Sequence, residues 1–181
     1  MKKQLRVFRL FLALAVVLLA GFSPAQAATD QPKAALLKIS PENTVAACNE
    51  VTITVRVENV TALYAYSLVI NFPPGSLEIL EVSNAGFLQD GMFPPTNGFD
   101  NTLGIIQFDM TQMSPALPVD GSGDLIRIRL RPTSTQAAVP ITISTDSILV
   151  NWPDVAPIEY TITNGVVQTA QHCLYLPSIR K

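Results

Sequence analysis

The sequence predicts an all-β protein, either a β-sandwich or a jelly roll. Most of the chain consists of short segments in which apolar and polar residues alternate, with the period of two typical of a strand with one buried face. Turn signals rich in proline and glycine separate these segments. No segment after residue 27 has a convincing helical period. Many short strands divided by turns favour two packed sheets over a fold that contains helices.

The predicted strands follow one another closely. Residues 51–58 alternate valine and isoleucine with threonine, arginine and glutamate, and residues 125–131 alternate isoleucine and leucine with arginines. The full set of predicted strands is 34–39, 51–58, 63–72, 77–82, 104–111, 125–131, 141–150 and 160–169. Residues 87–103 and 114–123 are rich in proline and glycine and predict loops, the first with one short edge strand near Phe99.

Residues 63–80, LYAYSLVINFPPGSLEIL, are the most informative segment. They predict two strands joined by a Pro-Pro-Gly corner. One face of the first strand is largely aromatic and aliphatic and predicts core contact; its members are Tyr64, Tyr66, Leu68, Ile70 and Phe72. The other face carries Ala65, Ser67, Val69 and Asn71, without the charges that a solvated face usually has. That face is therefore expected to be covered or used for binding.

Residues 1–27 predict a signal peptide. Basic residues precede the apolar run 10–20, and Ala25-Gln26-Ala27 supplies the small residues needed for cleavage. That run is too short to remain as a transmembrane helix, and no later segment is apolar enough to span a bilayer. We expect export to the extracellular space or the cell surface. The expected organisation is a short lead at 28–33, one domain at 34–173 and a C-terminal tail at 174–181 that affects localisation but not folding.

Charge and cysteine content exclude several classes of function. The chain has 12 basic and 14 acidic residues, and the predicted signal peptide removes basic residues only, which disfavours nucleic acid or an anionic membrane as partner. Cys48 and Cys173 form the kind of lone pair that usually becomes a disulfide in an oxidising compartment, with two buried free thiols as the alternative. Together with His172 they are too few for a four-ligand zinc site, so we expect no metal and no cofactor.

Five blocks, taken in order, resemble the cohesin domain of cellulosomes: VTITVRVENV, LYAYSLVINFPPGSLEIL, GIIQFDM, GSGDLIRIRL and TNGVVQT. Phe72-Pro73-Pro74 stands at the family's corner and Leu77-Glu78 follows it. Its glycine turns are matched by Gly104, Gly121-Ser122-Gly123 and Asn164-Gly165. The resemblance extends from Leu36 to Thr169 and implies a jelly-roll β-sandwich of about nine strands.

The resemblance also implies positions for the cysteines and for the binding surface. In the family the last strand runs parallel beside the first, which would bring Cys173 close to Cys48 and agrees with a disulfide. Cohesins bind dockerin modules through the sheet that contains the third strand, with an aspartate on that strand as a typical anchor. Ser67 occupies the position of that aspartate here, and Pro73 replaces the aspartate of the corner.

The candidate partner-binding surface is the outward face of the third strand and of the strand at 104–111. Its residues are Ala65, Ser67, Val69, Asn71, Ile105, Gln107 and Asp109. A nearly flat surface of apolar and hydrogen-bonding groups suits a helix laid across it. The alternative is an ordinary solvent-facing sheet with some alanine and valine on it.

Three further residue sets have simple structural explanations. Sugar rings stack on exposed aromatic side chains, but the loop aromatics more readily cap the ends of the sandwich; these are Phe87, Phe93, Phe99 and Trp152. The arginines of 125–131 could meet an anionic polymer, but cross-strand pairing with Glu58, Glu78 or Glu81 is favoured. Acidic residues in turns lack the regular spacing of a calcium loop; these are Asp90, Asp100, Asp120 and Asp124.

The sequence contains no nucleophile elbow, zinc motif or phosphate loop, so we expect no enzymatic activity. It predicts a secreted, non-catalytic, monomeric cohesin-like module that docks a dockerin-like extracellular protein. Its link to polysaccharide binding or breakdown would be indirect. The alternatives are a carbohydrate-binding module and a structural surface or adhesion domain.

Overall fold

The computed structural model describes residues 33–47, 49–89, 97–134 and 136–169. Within these ranges the chain forms eleven strands and no helix, so none of the described residues belongs to a helix that could cross a bilayer. The strands are β1 (Ala35–Ser40), β2 (Asn43–Ala47), β3 (Val51–Asn71), β4 (Leu77–Asn84), β5 (Asn97–Asp100), β6 (Ile105–Thr111), β7 (Val119–Pro132), β8 (Ala138–Ile143), β9 (Ile148–Asn151), β10 (Tyr160–Thr163) and β11 (Gly165–Thr169). The predicted all-β class is confirmed.

β3 belongs to both layers of the sandwich. Its first half pairs antiparallel with β1 and β7, and β10 and β4 extend this layer to give the order β10-β1-β3-β7-β4. Its second half pairs antiparallel with β6 on one side and with β8 and β9 on the other. β5 adds to the free edge of β6, while β11 and β2 continue beyond β8. The predicted last strand, 160–169, divides into β10 and β11: β10 pairs parallel with the first strand β1, as expected, whereas β11 pairs parallel with β2.

The sequence predicts separate strands at 51–58 and 63–72, whereas the structure has one strand that bends between them. Asn59 and Ala62 both adopt a positive φ of 54° at the bend, and the pairing with β7 shifts register there. Asp120 Oδ1 accepts a hydrogen bond from the Ala62 N–H at 2.7 Å, which holds the bent backbone. Bulges of this kind turn a strand from one layer into the next without interrupting it.

The bend changes which aromatic residue enters the core. Leu63 is fully buried, and the pairing of β3 with β9 shifts register between Leu63 and Ala65, so that Tyr64 is left half-buried at the edge. The prediction that Tyr64 faces the core was therefore wrong. The remaining members of that predicted face are buried as expected: Tyr66, Leu68, Ile70 and Phe72.

The core lies between the two layers. The inward residues predicted on β6 and β7 are all buried: Ile106, Phe108, Met110, Ile126, Ile128 and Leu130. Tyr66 is the polar exception within this core, and its hydroxyl donates a hydrogen bond to the Leu125 carbonyl at 3.1 Å. Because burial disfavours the charged phenolate, the pKa of Tyr66 is raised above its ordinary range. The apolar interior therefore contains one satisfied phenol that fixes β3 against β7.

β7 begins at Val119, inside the segment 114–123 that the sequence predicts as a loop. Gly121 has a φ of 106°, which only glycine adopts readily, and it pairs with β3 at a bulge. At Gly123 an added Cβ would lie 2.1 Å from a ring carbon of Phe87. The glycines therefore mark a bulged, tightly packed strand rather than a turn.

Two other predicted strands each divide, and β2 is a strand that the sequence analysis did not predict; with the joining of 51–58 and 63–72 these changes take the number from about nine to eleven. Residues 144–147 form a turn between β8 and β9, and Ser147 Oγ accepts a hydrogen bond from the Val69 N–H at 3.0 Å in place of a strand partner. Asn164 Oδ1 accepts a hydrogen bond from the Ile143 N–H at 2.9 Å where β10 ends and β11 begins. The short edge strand predicted near Phe99 is present as β5.

Candidate functional site

The residues predicted to bind a partner lie together on one outer surface. Along β3 and β6 they alternate with buried residues, so their side chains face outward. The register of the two strands sets Ala65 opposite Thr111, Ser67 opposite Asp109, Val69 opposite Gln107 and Asn71 opposite Ile105. We call the outward side chains of β3 from Ala65 onward, of β6 and of β9 the front face.

β9 contributes two front-face residues that the sequence analysis missed. Ile148 pairs with Ser67 and Val150 pairs with Ala65, and the Ile148 side chain is 47% exposed. These side chains and Asp109 border a shallow, open depression on the face. Both residues flank the buried Leu149 in a segment that is apolar on both sides, a pattern that a fully buried strand shares. A strand that is apolar on its solvent side is a mark of a contact surface.

Asp109 is the ionisable side chain in the middle of the front face. Its Oδ1 accepts a hydrogen bond from Ser67 Oγ at 2.6 Å, and its Oδ2 lies 3.5 Å from Gln107 Nε2. Its backbone N–H donates to Asn97 Oδ1 on the neighbouring strand at 3.1 Å. None of the described lysine or arginine side chains forms an ion pair with Asp109. The carboxylate is thus oriented by neutral groups, and its charge is not compensated within the described residues.

The backbone under Val69 is fixed from the β8–β9 turn. Ser147 is almost fully buried and its Oγ donates back to the Val69 carbonyl at 3.3 Å. The Ser144 N–H also donates to that carbonyl at 2.8 Å. Val69 therefore presents its side chain from a backbone position that is held on both sides, which keeps the front face rigid.

The opposite outer surface, the back face, consists of the outward side chains of β10, β1, the first half of β3, β7 and β4. It carries a series of cross-strand ion pairs: Lys38–Glu58 at 2.8 Å, Arg56–Asp124 at 2.9 Å, Arg129–Glu50 at 2.8 Å, Arg129–Glu81 at 3.1 Å and Arg131–Glu78 at 2.6 Å. These pairs link neighbouring strands in the layer order and compensate one another's charge.

The predicted cross-strand pairing of the β7 arginines with glutamates is confirmed for two of the three arginines. One of the predicted glutamate partners is different. Arg129 and Arg131 pair with Glu81 and Glu78. Glu58 instead pairs with Lys38, whose hydrogen bond lowers the pKa of that glutamate. The reason is register, because Glu58 lies opposite Leu36 near the start of β1, away from the arginines of β7. Hydrogen bonds from Arg129 to Glu50 and Glu81 raise the pKa of the guanidinium.

The loop aromatics do not form a sugar-binding row among the described residues. Phe87 packs on the core, as expected of a capping residue, whereas Phe99 is 40% exposed on the edge strand β5. Trp152 stacks on Tyr64 with ring centroids 5.1 Å apart, at the upper rim of the front face. Phe93 lies outside the described residues.

The acidic turn residues act as local hydrogen-bond acceptors. Asp100 Oδ1 accepts the N–H groups of Leu103 and Thr102 at 3.0 and 2.7 Å, and these bonds lower the pKa of the carboxyl. Asp120 holds the bend of β3, and Asp124 pairs with an arginine. The described part of the chain contains no cluster of three or more metal-ligating side chains. Asp90, Cys48, His172 and Cys173, and with them the predicted disulfide, lie outside the described residues.

Comparison with known proteins gives a consistent family. The family model for the Cohesin domain matches residues 38–169. No curated protein matches the chain. The fold resembles a non-cellulosomal cohesin from the archaeon Archaeoglobus fulgidus, with 14% identity, a TM-score of 0.59, and coverage of 76% of this chain and 92% of that one.

Two bacterial cohesins are similar to the same extent. The third cohesin ScaC of Acetivibrio cellulolyticus, solved in complex with the ScaB dockerin, shares 15% identity and a TM-score of 0.64, over 75% of this chain and 99% of that one. The seventh ScaB type I cohesin of Pseudobacteroides cellulosolvens shares 15% identity and a TM-score of 0.62, over 81% and 99%. These identities support the fold, and the family model spans well over half of the sequence. The chain therefore belongs to the cohesin domain family.

Proposed function

We propose that this cohesin domain docks a dockerin-type helical module on its front face. Cohesin domains are non-catalytic binding modules, which agrees with the lack of a catalytic motif in the sequence. Several structurally similar cohesins were solved in complex with dockerins, which supports this class of partner. The geometry of the front face supports its location.

The observation that carries the proposal is the uncompensated charge of Asp109 on an otherwise neutral face. Around it lie Ile148, Val150 and Val69, which offer apolar contact, and Ser67, which orients the carboxylate. A partner that brings an apolar helix face and one hydrogen-bond donor or cation would complement both features. On the back face, by contrast, most of the described charges are already held in cross-strand ion pairs, with the exposed Arg127 as the exception.

The position of the charge differs from the one that the resemblance implies. The resemblance to cohesins implies an aspartate anchor on the third strand, where this sequence has Ser67. Asp109 lies directly opposite on β6, with its Oδ1 2.6 Å from Ser67 Oγ. We infer that the anchoring carboxylate is supplied from the neighbouring strand. The partner would therefore place its donor about one strand spacing, roughly 5 Å, from the position that an aspartate at Ser67 would favour.

The test is calorimetric titration of the exported domain with purified dockerin modules encoded in the same genome. Val69→Lys should weaken binding by roughly 30-fold or more, because it places a long cationic side chain among the apolar contacts of the interface and within reach of the anchoring carboxylate of Asp109. Thr161→Lys is the matched control, since Thr161 is an exposed outward residue of β10 on the back face. Equal affinities of the two variants would exclude the front face as the docking surface.

A second variant tests the charge itself. Asp109→Asn keeps the shape and can still accept from Ser67, so the fold should be unaffected. Binding should weaken by about tenfold, the order expected for a hydrogen bond to a charged group, and should lose part of its salt dependence. Unchanged affinity would leave the front face as the interface but remove Asp109 as its anchor.

We also propose that the domain acts outside the cell, after removal of residues 1–27 and formation of a Cys48–Cys173 disulfide. Its contribution to polysaccharide breakdown would then pass through the docked partner. The intact mass of the exported protein before and after reduction and alkylation would test both processing and pairing. Two thiols that react without prior reduction would rule out the disulfide.

A further inference from the structure

A second cavity lies at the end of the sandwich where β3 bends, away from the centre of the front face. It is open to solvent, like the depression on the front face, and its volume of about 620 Å³ is in the range of small-molecule sites. The walls are formed by the residues that follow β4 and by the connection from β6 into β7; those used below are Phe87, Gln112, Pro115, Leu117, Pro118 and Asp120. An aromatic ring and two prolines therefore share the cavity with an amide and a carboxylate.

Gln112 is the unusual member of this set. Its side chain is only 5% exposed, and its Oε1 accepts no hydrogen bond although it is shielded from solvent. The backbone around it is satisfied, since the Gln112 N–H donates to the Tyr64 carbonyl at 3.0 Å. A buried polar atom without a hydrogen-bond partner lowers the stability of the folded state. The unpaired oxygen of Gln112 therefore needs an explanation other than packing in the core. The last side-chain torsion of glutamine is soft, so a small rotation would offer this oxygen to a ligand in the cavity.

Asp120 supplies a second acceptor at the same cavity. Its Oδ1 is occupied by the Ala62 N–H at 2.7 Å, which fixes the carboxylate and leaves Oδ2 for a ligand. The described lining residues include no lysine or arginine, which disfavours a phosphate or carboxylate ligand. Two acceptors without a neighbouring cation select a ligand that donates hydrogen bonds and carries no negative charge. The ring of Phe87 and the flat faces of Pro115 and Pro118 favour a ligand with an apolar C–H face.

We propose that this cavity is a saccharide site that binds the end of a neutral glycan. A pyranose ring has both required features, hydroxyl groups that donate to Gln112 Oε1 and Asp120 Oδ2 and a C–H face that packs on Phe87. None of the residues that line the cavity borders the front-face depression, so one domain could hold a protein partner and a glycan together.

The experiment titrates the domain with cellotetraose, xylotetraose and mannotetraose, and follows binding by calorimetry and by ligand-observed NMR saturation transfer. The wild-type protein should bind at least one of them. Gln112→Leu removes the acceptor at similar volume, so it should lower that affinity at least tenfold while the resistance to urea stays equal or increases. Gln107→Leu, the same change on the exposed front face, should leave saccharide binding unchanged.

A second variant avoids the buried position. Leu117 is 79% exposed at the cavity, so Leu117→Arg should fold normally and reduce saccharide affinity by obstructing the entrance. Three results would overturn the proposal: no binding of any of the three oligosaccharides by the wild type, unchanged affinity in both Gln112→Leu and Leu117→Arg, or a marked loss of stability in Gln112→Leu. The last would show that the carboxamide has a structural partner. None of these results bears on the docking face, which is tested by Val69→Lys.

Discussion

The two outer faces of the sandwich share one strand and differ in charge. The first half of β3 sends Arg56 and Glu58 to the back face, where both are paired. Beyond the bend, the second half sends Ser67 and Val69 to the front face. There the carboxylate of Asp109 meets hydroxyl and amide groups instead of a cation. The change from a charged to a neutral surface thus occurs within a single strand, at its bend.

The two faces therefore differ in whether their charged groups already have partners within the domain. Exposed ion pairs contribute little to stability, but a charge held in such a pair is not open to a partner, and on the back face this applies to most of the described charges, with Arg127 as the exception. A half-buried carboxylate held by neutral donors remains solvated in the free protein and gains a partner only on association. The front face therefore gives specificity to an interaction, whereas the back face keeps that side of the domain from competing for it.

The largest expected effect concerns the backbone that supports the front face. Gly104, just before β6, has a φ of 70°, and a Cβ there would lie 2.1 Å from the Phe72 carbonyl oxygen and 3.1 Å from Pro74. Gly104→Ala should therefore lower the free energy of unfolding by about 3 kcal/mol, from strain and collision together. Gly75 has a φ of 73° with nothing within 4 Å of the added Cβ, so Gly75→Ala should cost about 1 kcal/mol, from strain alone.

Urea denaturation of both variants separates these contributions. A similar loss in Gly104→Ala and Gly75→Ala would mean that the close approach to Phe72 relaxes without cost. Gly104 lies just before β6, so distortion of its backbone should also disturb the end of the front face. Partner affinity should therefore fall in Gly104→Ala and stay constant in Gly75→Ala. No ion pair on the back face is expected to have an effect of this size.

An intermediate effect follows from moving the front-face charge back to β3. Ser67→Asp places two carboxylates at directly opposed positions, where Ser67 Oγ and Asp109 Oδ1 are 2.6 Å apart. Like charges in this position should lower stability by about 1–2 kcal/mol at pH 7. They should also raise the pKa of the pair, so the deficit should shrink as the pH falls through that raised pKa.

Two variants isolate the charge from the shape. Ser67→Asn has nearly the size of aspartate and no charge, so it should lack the pH-dependent part of the deficit. The exchange Ser67→Asp with Asp109→Ser restores one hydroxyl–carboxylate pair with the two strands reversed, and should recover most of the lost stability. A pH-independent deficit in Ser67→Asp would attribute the loss to packing. Retained partner affinity in the exchange would show that the partner tolerates either strand as the source of the charge.

Alternation predicted the strands and the inward residues well where the period of two is unbroken, as in β6 and in the later half of β7. It failed at the bend, because positive φ values at Asn59 and Ala62 depend on contacts with β7 that are distant in sequence. Tyr64 was misplaced for the same reason. Glycine content was misread at Gly121, since a bulged strand and a turn use the same residue.

The candidate site was predicted in part. The outward residues of β3 and β6 follow from alternation, and their juxtaposition was expected only from the resemblance to a family. The contribution of β9 could not be derived, because strand order is a tertiary property and Ile148 and Val150 are equally consistent with a buried strand. The hydrogen bond from Ser67 to Asp109 depends on register and could not be read from either strand alone.

The smallest expected effect tests the back face. Lys38 forms an ion pair with Glu58 at 2.8 Å, and its hydrogen bond lowers the pKa of that glutamate below the ordinary value of 4.5. A carboxyl with a lowered folded-state pKa stabilises the fold at pH values above 4.5, and this contribution is lost as the pH falls through the folded pKa.

Lys38→Met keeps most of the side-chain volume and removes the charge. The melting temperatures of wild type and variant should therefore differ slightly at pH 7 in low salt, and the difference should narrow as the pH is lowered below 4.5 and also in high salt. A difference that stays constant as the pH is lowered would assign the effect to the packing of the Lys38 stem. A change in partner affinity in Lys38→Met would contradict the separation of the two faces, because a back-face charge should be invisible to a partner docked on the front.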